Sequence, residues 1–326
     1  MKLLVISICK DEAKTIGEVL DRIPKNIAGI TKIDKWVIDD GSSDNTVAVA
    51  LKHGANVQSD GANKKLAFRF REALDIALNN DADILLNIDG DLQFDPADIP
   101  ILVKPIVEDK TDFVAADRFT NIQDGKAHRP KNMPAAKYWG NRAGAKIVSQ
   151  LSKHNFNDVT CGFRAYNRKA MIALNTSGTY TYTQESFQVL AMKRIRIMSL
   201  PVKVTYFPER KSRVVTSTFK YMSQSAVNIL RSYRDFAPLS FFTLLGAIPF
   251  VIGTIGMLIA GIHWATAKQI TPYKGIGIAG IYLFTLGIII WIIGLLADML
   301  SRMLSNQEKI IELTREIKYN KRPTKK

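Results

Sequence analysis

Two aspartates one residue apart, Asp89 and Asp91, follow the apolar run ILLNI. In an extended chain they project to the same side, and an apolar strand that ends in two carboxylates needs a partner for them. Hard oxygen donors at a strand end suit Mg²⁺ or Mn²⁺, ions that keep waters and take further ligands from a substrate's phosphates. Gln93, two residues on, offers a neutral oxygen for the metal or a hydrogen bond to substrate. A second acidic cluster, Asp39-Asp40-Gly41-Ser42-Ser43-Asp44, closes another apolar run. Asp40 suits the metal or ribose hydroxyls and Asp39 a base N–H, while Gly41 to Asp44 equally fits an Asx-type turn. Asp117-Arg118 ends a third run. The four histidines form no motif, and each reads as structural or solvated.

These clusters need a scaffold that brings strand ends together. KLLVISIC is a β-branched apolar run and reads as a strand. DEAKTIGEVLDRIP then reads as a helix that stops near Pro24. KWVIDD is a second strand, and Ser43 or Asp44 is placed to cap the helix TVAVALKHG. NVQSD, the periodic helix KKLAFRFREALDIALNN and the strand ADILLNIDGD continue the alternation. Such alternation predicts an α/β domain with a mostly parallel sheet, which binds ligands at the carboxyl ends of its strands. No G-x-G-x-x-G follows a strand and no G-x-x-x-x-G-K-[ST] occurs, so neither the dinucleotide nor the P-loop class fits.

The 326 residues carry 45 Lys+Arg against 30 Asp+Glu, a formal charge of +15. Up to Pro201 there are 28 basic and 24 acidic side chains, so +11 of the charge falls on the last 125 residues. Those residues also hold two uncharged stretches, Ala237 to Ala267 and Gly275 to Ala297. A bilayer core of roughly 30 Å needs about 20 helical residues, so both are long enough to span. Basic residues flanking apolar runs describe a membrane anchor, not a nucleic-acid binder. The short loop between them implies an antiparallel hairpin, and the stronger basic flanks outside it put both termini in the cytoplasm. Leu3 to Cys9 is too short for a signal peptide. Two cysteines, Cys9 and Cys161, fit a reducing compartment. The expected organisation is a catalytic domain over 1–214, an interfacial amphipathic helix over 215–236, a hairpin over 237–298 (spans near 239–263 and 275–297) and a basic helix and tail over 299–326.

ISICKDEAKTI, VIDDGSSDNT, LLNIDGDLQFDP, DRF and DVTCGFRAYNRKA, in this order, resemble glycosyltransferase family 2. Within that family the chain is similar to the polyprenyl-phosphate glycosyltransferases, the dolichol-phosphate mannose synthase-like group. The resemblance implies a GT-A fold, a nucleotide-sugar donor, a polyprenyl phosphate acceptor, Mg²⁺ or Mn²⁺, and a homo-oligomer such as a tetramer. It implies Glu12 and Asp39 at the nucleoside, Asp40 at the ribose or diphosphate, Lys64 among the donor contacts, and Asp89, Asp91 and Gln93 around the metal. Arg118 would face the acceptor phosphate together with Lys137, Asn141 and Arg164. Asp158, Glu185, Arg210 and Arg213 match further site positions. Lys137 and Asn141 stand where the group carries Arg and Ser, and Lys65 and Arg69 stand where it carries small residues.

A hydroxyl acceptor requires a general base, whereas a phosphate monoester, with its second pKa near 6, is already anionic at neutral pH. The implied reaction is an inverting transfer of sugar to the lipid phosphate, held by cations. A processive polysaccharide synthase would need Q-x-x-R-W and more spans, and the chain has neither. A hydroxyl-acceptor enzyme using Asp158 or Glu185 as base, and a nucleotide-sugar binder without turnover, remain open. The polar segment Thr120 to Pro134 reads as a loop beside the acceptor site, either a lid or an exposed linker.

Overall fold

The computed structural model describes residues 1–152, 154–176, 182–207, 233–234 and 237–319. The interfacial helix expected over 215–236, apart from 233–234, together with Arg210 and Arg213, lies outside the described residues. By their contacts the residues divide into two units, Met1–Ser217 with Glu312–Lys326, and Thr218–Ile311.

In the first unit, strands β1 (Lys2–Cys9), β2 (Lys32–Asp39), β3 (Asn56–Gln58), β4 (Ile84–Asn87), β5 (Phe113–Asp117), β6 (Arg164–Asn167) and β7 (Ile197–Pro201) form one sheet in the order β3-β2-β1-β4-β6-β5-β7. The strands are parallel except β6, which runs antiparallel to both β4 and β5. The sheet is mostly parallel as expected, and the inverted strand sets Arg164 opposite Asn87 and Ala115. Successive residues of a strand face opposite sides, and both sides are covered here. Leu4, Ile6, Leu85, Phe113 and Ala115 pack in a core with residues of α3 (Leu66–Asn79), α5 (Ala135–Ser152), α6 (Arg168–Ala173) and α7 (Thr183–Met192). Leu3, Val5, Leu86, Val114 and Ala116 pack in another with residues of α1 (Ile16–Asp21), α2 (Thr46–Lys52) and α4 (Ile99–Val107). Burial on both faces explains why these strands read as continuous apolar runs.

Two local expectations are corrected. Helix α1 begins only at Ile16, because Asp11 adopts a left-handed φ of +53° and turns the chain. There the Asp11 carboxylate accepts from Ser43 N at 2.6 Å. Asn45, not Ser43 or Asp44, occupies the N-cap of α2, while Asp44 accepts from the backbone of Thr46 and Ala13.

The second unit contains α8 (Pro238–Ala267) and most of α9 (Lys274–Tyr319), both long and apolar enough to cross a membrane. Gly246 faces Gly287 and Trp291, Gly253 faces Gly280 and Phe284, and Gly256 faces Ile276. One series rises as the other falls, so the two helices are antiparallel. A Cβ on Gly253 would lie 2.4 Å from Phe284 N, so the small residue is what permits this approach. The basic helix expected as a separate element after the second span is instead the continuation of α9. Its last turns belong to the first unit and are anchored there: Lys193 pairs with Glu312 at 3.0 Å, Arg315 donates to Leu174 O, and Tyr319 is buried in the core.

Candidate active site

The carboxyl ends of the neighbouring strands β1, β2 and β4 bring acidic residues together. Cys9 pairs in register with Asp39, and Asp40 N donates to Cys9 O at 2.8 Å. The chain leaving β4 crosses beside them, and a Cβ on Gly90 would lie 2.5 Å from Cys9 Sγ. Burial pushes the Cys9 thiol well above its usual range, and the charges of Glu12, Asp89, Asp91 and Asp39 push it the same way. The thiol is therefore protonated, and carboxylates from three separate segments of the chain, after β1, at the end of β2 and after β4, act on it.

Each of these groups is held by its neighbours. Asp39, almost fully buried, accepts from Ser42 N at 3.1 Å and Ser59 Oγ at 2.8 Å. Thr15 donates to Gly90 O at 2.7 Å and lies 3.2 Å from Glu12 Oε2. Asp91 accepts from Gln93 N at 3.1 Å across a turn in which Leu92 takes φ +59°. A left-handed leucine is uncommon, and such strain clusters at functional sites. Gly162 approaches from β6's side, where a Cβ would lie 2.9 Å from Asp89 Oδ1.

Asp40 uses one oxygen to hold the 60–65 loop, accepting from Lys64 N at 2.7 Å, Lys65 N at 3.1 Å and Arg69 Nε at 3.1 Å. Arg69 is fully buried and also pairs with Asp60 at 2.6 Å and Glu72 at 2.8 Å. Hydrogen bonds from Arg69 and then Lys64 hold the Asp60 carboxyl far below its usual range. Lys64 is thus engaged by Asp60 and, at 3.6 Å, by Glu72. Lys65, just before α3, adopts φ +73° and ψ 157°, a conformation that normally requires glycine.

The end of β5 carries the second half of the site. Arg118 makes a two-pronged pair with Asp158, Nε to Oδ2 at 2.6 Å and Nη2 to Oδ1 at 2.9 Å, and adds Thr160 Oγ1 at 2.6 Å and Tyr206 OH at 3.2 Å. Burial alone would raise the Asp158 carboxyl, but the Arg118 charge and hydrogen bonds outweigh it and hold it low. Lys137, on α5, lies over the Tyr206 ring. Burial and then the nearby Arg118 charge lower its ammonium, against the pull of Asp91 and Asp158. The charges that act on Lys137 thus come from Asp91 after β4 as well as from the Arg118–Asp158 pair. Asn141, one helical turn on, is buried.

Arg164, expected at the acceptor phosphate, lies in the interior of the domain. Its guanidinium is fully buried and donates to Cys161 O at 2.6 Å, Thr183 O at 2.8 Å and Val159 O at 3.0 Å. It also faces the rings of Phe187, Tyr182 and Phe113. Three of its N–H groups go to backbone carbonyls of the 159–161 segment and of Thr183, so what the structure shows for Arg164 is a brace for this segment. Glu185 sits half-buried in the first turn of α7. A cleft of about 290 Å³ lined by Asp117, His154, Asn157 and Ser199 includes neither Asp89, Asp91 nor Arg118.

Tyr206 escaped notice in the sequence because no motif marks it, and Cys9 and Thr15, although inside ISICKDEAKTI, were given no role at the site. Thr160 carried a signal: an Asp followed two residues later by a hydroxyl residue is an Asx-turn pattern, and Asp158 does accept from Thr160 N at 2.9 Å.

Among the described residues no group of three His, Cys, Asp or Glu side chains could hold a metal by itself. The donor set still fits a hard cation completed by phosphate oxygens and water. Asp89 and Asp91 are half-buried oxygen donors, Gly162 leaves the space beside Asp89 open, and the protonated Cys9 supplies no soft thiolate.

Known proteins are similar to this chain in sequence and fold. The UDP-N-acetylglucosamine–dolichyl-phosphate N-acetylglucosaminyltransferase of Methanococcus voltae is 26% identical over 197 residues, covering 52% of this chain and 74% of that one. The undecaprenyl-phosphate 4-deoxy-4-formamido-L-arabinose transferase of Proteus mirabilis is 22% identical over 275 residues, covering 79% and 74%. Among solved structures, glucosyl-3-phosphoglycerate synthase from Mycobacterium tuberculosis, in complex with Mn²⁺, UDP and glucosyl-3-phosphoglycerate, superposes with a TM-score of 0.53 at 17% identity, covering 70% of this chain and 79% of that one. That likeness establishes a GT-A-like fold. The family model "Glycosyl transferase family 2" matches residues 4–174, more than half of the chain. The protein is a glycosyltransferase and belongs to glycosyl transferase family 2.

Proposed function

We propose that the enzyme transfers a sugar from a UDP-sugar to a polyprenyl phosphate at the cytoplasmic face of a membrane, with inversion, releasing the nucleoside diphosphate. Glu12, Asp39, Asp40 and Lys64 are the donor-side residues, and Asp89, Asp91 and Gln93 hold Mg²⁺ or Mn²⁺ against the diphosphate. When bound, the metal supplies Lewis-acid stabilisation of the leaving group. Arg118 and Lys137, with Asn141 beside them, orient the acceptor phosphate.

The observation that carries this reading is that Arg118 and Lys137 share Tyr206, Arg118 donating to its hydroxyl and Lys137 lying over its ring, with Asp158 already committed to Arg118. A carboxylate held low by a two-pronged arginine is a poor general base, which disfavours a hydroxyl acceptor relying on Asp158. An acceptor phosphate supplies its own anionic oxygen at neutral pH, given its second pKa near 6. The relatives' dolichyl-phosphate and undecaprenyl-phosphate acceptors, and the two membrane-length helices, support a lipid substrate.

The test is transfer of radiolabelled sugar into the organic phase from a panel of UDP- and GDP-sugars, with polyprenyl phosphate and Mg²⁺ or Mn²⁺. Asp91→Asn should lower transfer by about a hundredfold or more, since metal stabilisation of a leaving group is worth several kcal/mol. Full transfer by Asp91→Asn, or label reaching only hydroxyl acceptors, would refute the proposal.

A further inference from the structure

The segment between β5 and α5 is a built hairpin. Thr120 bridges Ala127, His128 N donates to Phe119 O at 2.9 Å, and Asn121 N donates to Lys126 O at 2.9 Å. It has a small core of its own, in which Phe119, Met133 and Tyr138 are buried with Tyr206 packed against them. Phe119 meets Tyr138 edge to face at 5.3 Å, and Tyr138 meets Trp139 at 5.2 Å. From this core two large apolar side chains project outward: Ile122 is 62% exposed and Trp139 68% exposed. Around them the stretch from Thr120 to Trp139 carries Lys126, Arg129, Lys131 and Lys137 against the single acid Asp124. Lys126, Arg129 and Lys131 are exposed to solvent.

We propose that this hairpin and the first turn of α5 form a membrane-seating surface of the catalytic unit, fitted to an anionic bilayer. Tryptophan sits at the headgroup level because its ring is amphipathic, and exposed lysines and arginines are drawn to anionic lipid. An exposed isoleucine at a hairpin tip, in a stretch that also carries three exposed cations, is a poor surface for water and a good one for the boundary of headgroups and acyl chains. The same small core touches the acceptor-side cations directly: Arg118 Nη1 donates to Tyr206 OH, Arg118 lies over the Phe119 ring at 5.2 Å, and Lys137 lies over the Tyr206 ring at 5.4 Å. Seating the hairpin therefore fixes those cations relative to the plane where a lipid phosphate lies. This consequence rests on the polyprenyl phosphate reading; the seating itself does not.

The full chain is reconstituted into vesicles of phosphatidylcholine and phosphatidylglycerol, with an environment-sensitive probe on Ile122→Cys or Trp139→Cys. The native Cys9 and Cys161 are buried, so the introduced thiol is labelled selectively. The probes should be quenched by doxyl-labelled lipid and shielded from aqueous acrylamide, and Lys126→Gln/Arg129→Gln/Lys131→Gln or omission of phosphatidylglycerol should reduce lipid quenching at least twofold. Free quenching by acrylamide, or shielding from acrylamide without lipid quenching, overturns the proposal. Ile122→Asp should raise the KM for polyprenyl phosphate several-fold and leave that for nucleotide-sugar unchanged. Lipid quenching without any transfer to polyprenyl phosphate would overturn the function proposed above and leave the seating intact.

Discussion

Asp158→Asn separates the two roles open to a buried carboxylate beside an acceptor. Asparagine has the same shape, so no cavity forms; what is lost is the negative charge. In the wild type, Asp158 is fully buried and takes Arg118 Nε at 2.6 Å, Arg118 Nη2 at 2.9 Å and Thr160 N at 2.9 Å. Arg118 is itself only 8% exposed, so the variant leaves a guanidinium buried without its counter-ion. Breaking such a pair from one side costs about 3–5 kcal/mol, a large share of the roughly 5–15 kcal/mol that holds a domain folded. Replacing both partners, as Arg118→Met/Asp158→Leu, should restore most of that stability and no activity. The sign with pH follows from the depressed carboxyl. Its stabilisation is complete above the unfolded value of about 3.9 and is lost as pH falls through the lower folded value. Unfolding midpoints in detergent should therefore show a constant gap between wild type and Asp158→Asn from about pH 5 to 8, closing below about pH 4. In turnover, Asp158→Asn should raise the acceptor KM and keep the acidic limb near the phosphate pKa of about 6. A stability loss under about 1 kcal/mol would refute the buried-pair argument, given the expected range. Loss of kcat at unchanged acceptor KM, with the acidic limb gone, would make Asp158 the general base.

Two further perturbations test the rest of the site. Lys137 has its ammonium lowered by burial and by Arg118, so acceptor binding should weaken at an alkaline pH below the usual lysine value of about 10.4. Lys137→Arg, always protonated, should move that limb out of range; an unchanged pH profile would remove Lys137 from the acceptor site. Lys65 holds a glycine-like conformation, a strain of about 1–3 kcal/mol, whereas glycine costs about 0.5–1 kcal/mol in chain entropy. Lys65→Gly should stabilise by about 1 kcal/mol in thermal unfolding, and any destabilisation would contradict the strain.

The end of α9 shows how packing overrides composition. Asn306 to Tyr319 is polar enough to read as a solvated helix, yet Glu312, Arg315 and Tyr319 are tied to Lys193, Leu174 and the core. Nothing in a local window reports partners more than a hundred residues away.

What the sequence by itself determined follows from local physics. Runs such as KLLVISIC and ILLNI can only be buried strands, Asp39, Asp89 and Asp91 stand where those runs stop, and two uncharged stretches fix two membrane-length helices. Those statements need only side-chain type and spacing. Tertiary structure decided which charges remain available for chemistry. Arg118, Arg164 and Arg69 look alike as sequence, but one pairs with a carboxylate 40 residues away, one donates to backbone carbonyls, and one knots three acids beneath a loop. A buried guanidinium must satisfy its donors with whatever the fold brings near, and the antiparallel β6 and the strand order set those neighbours.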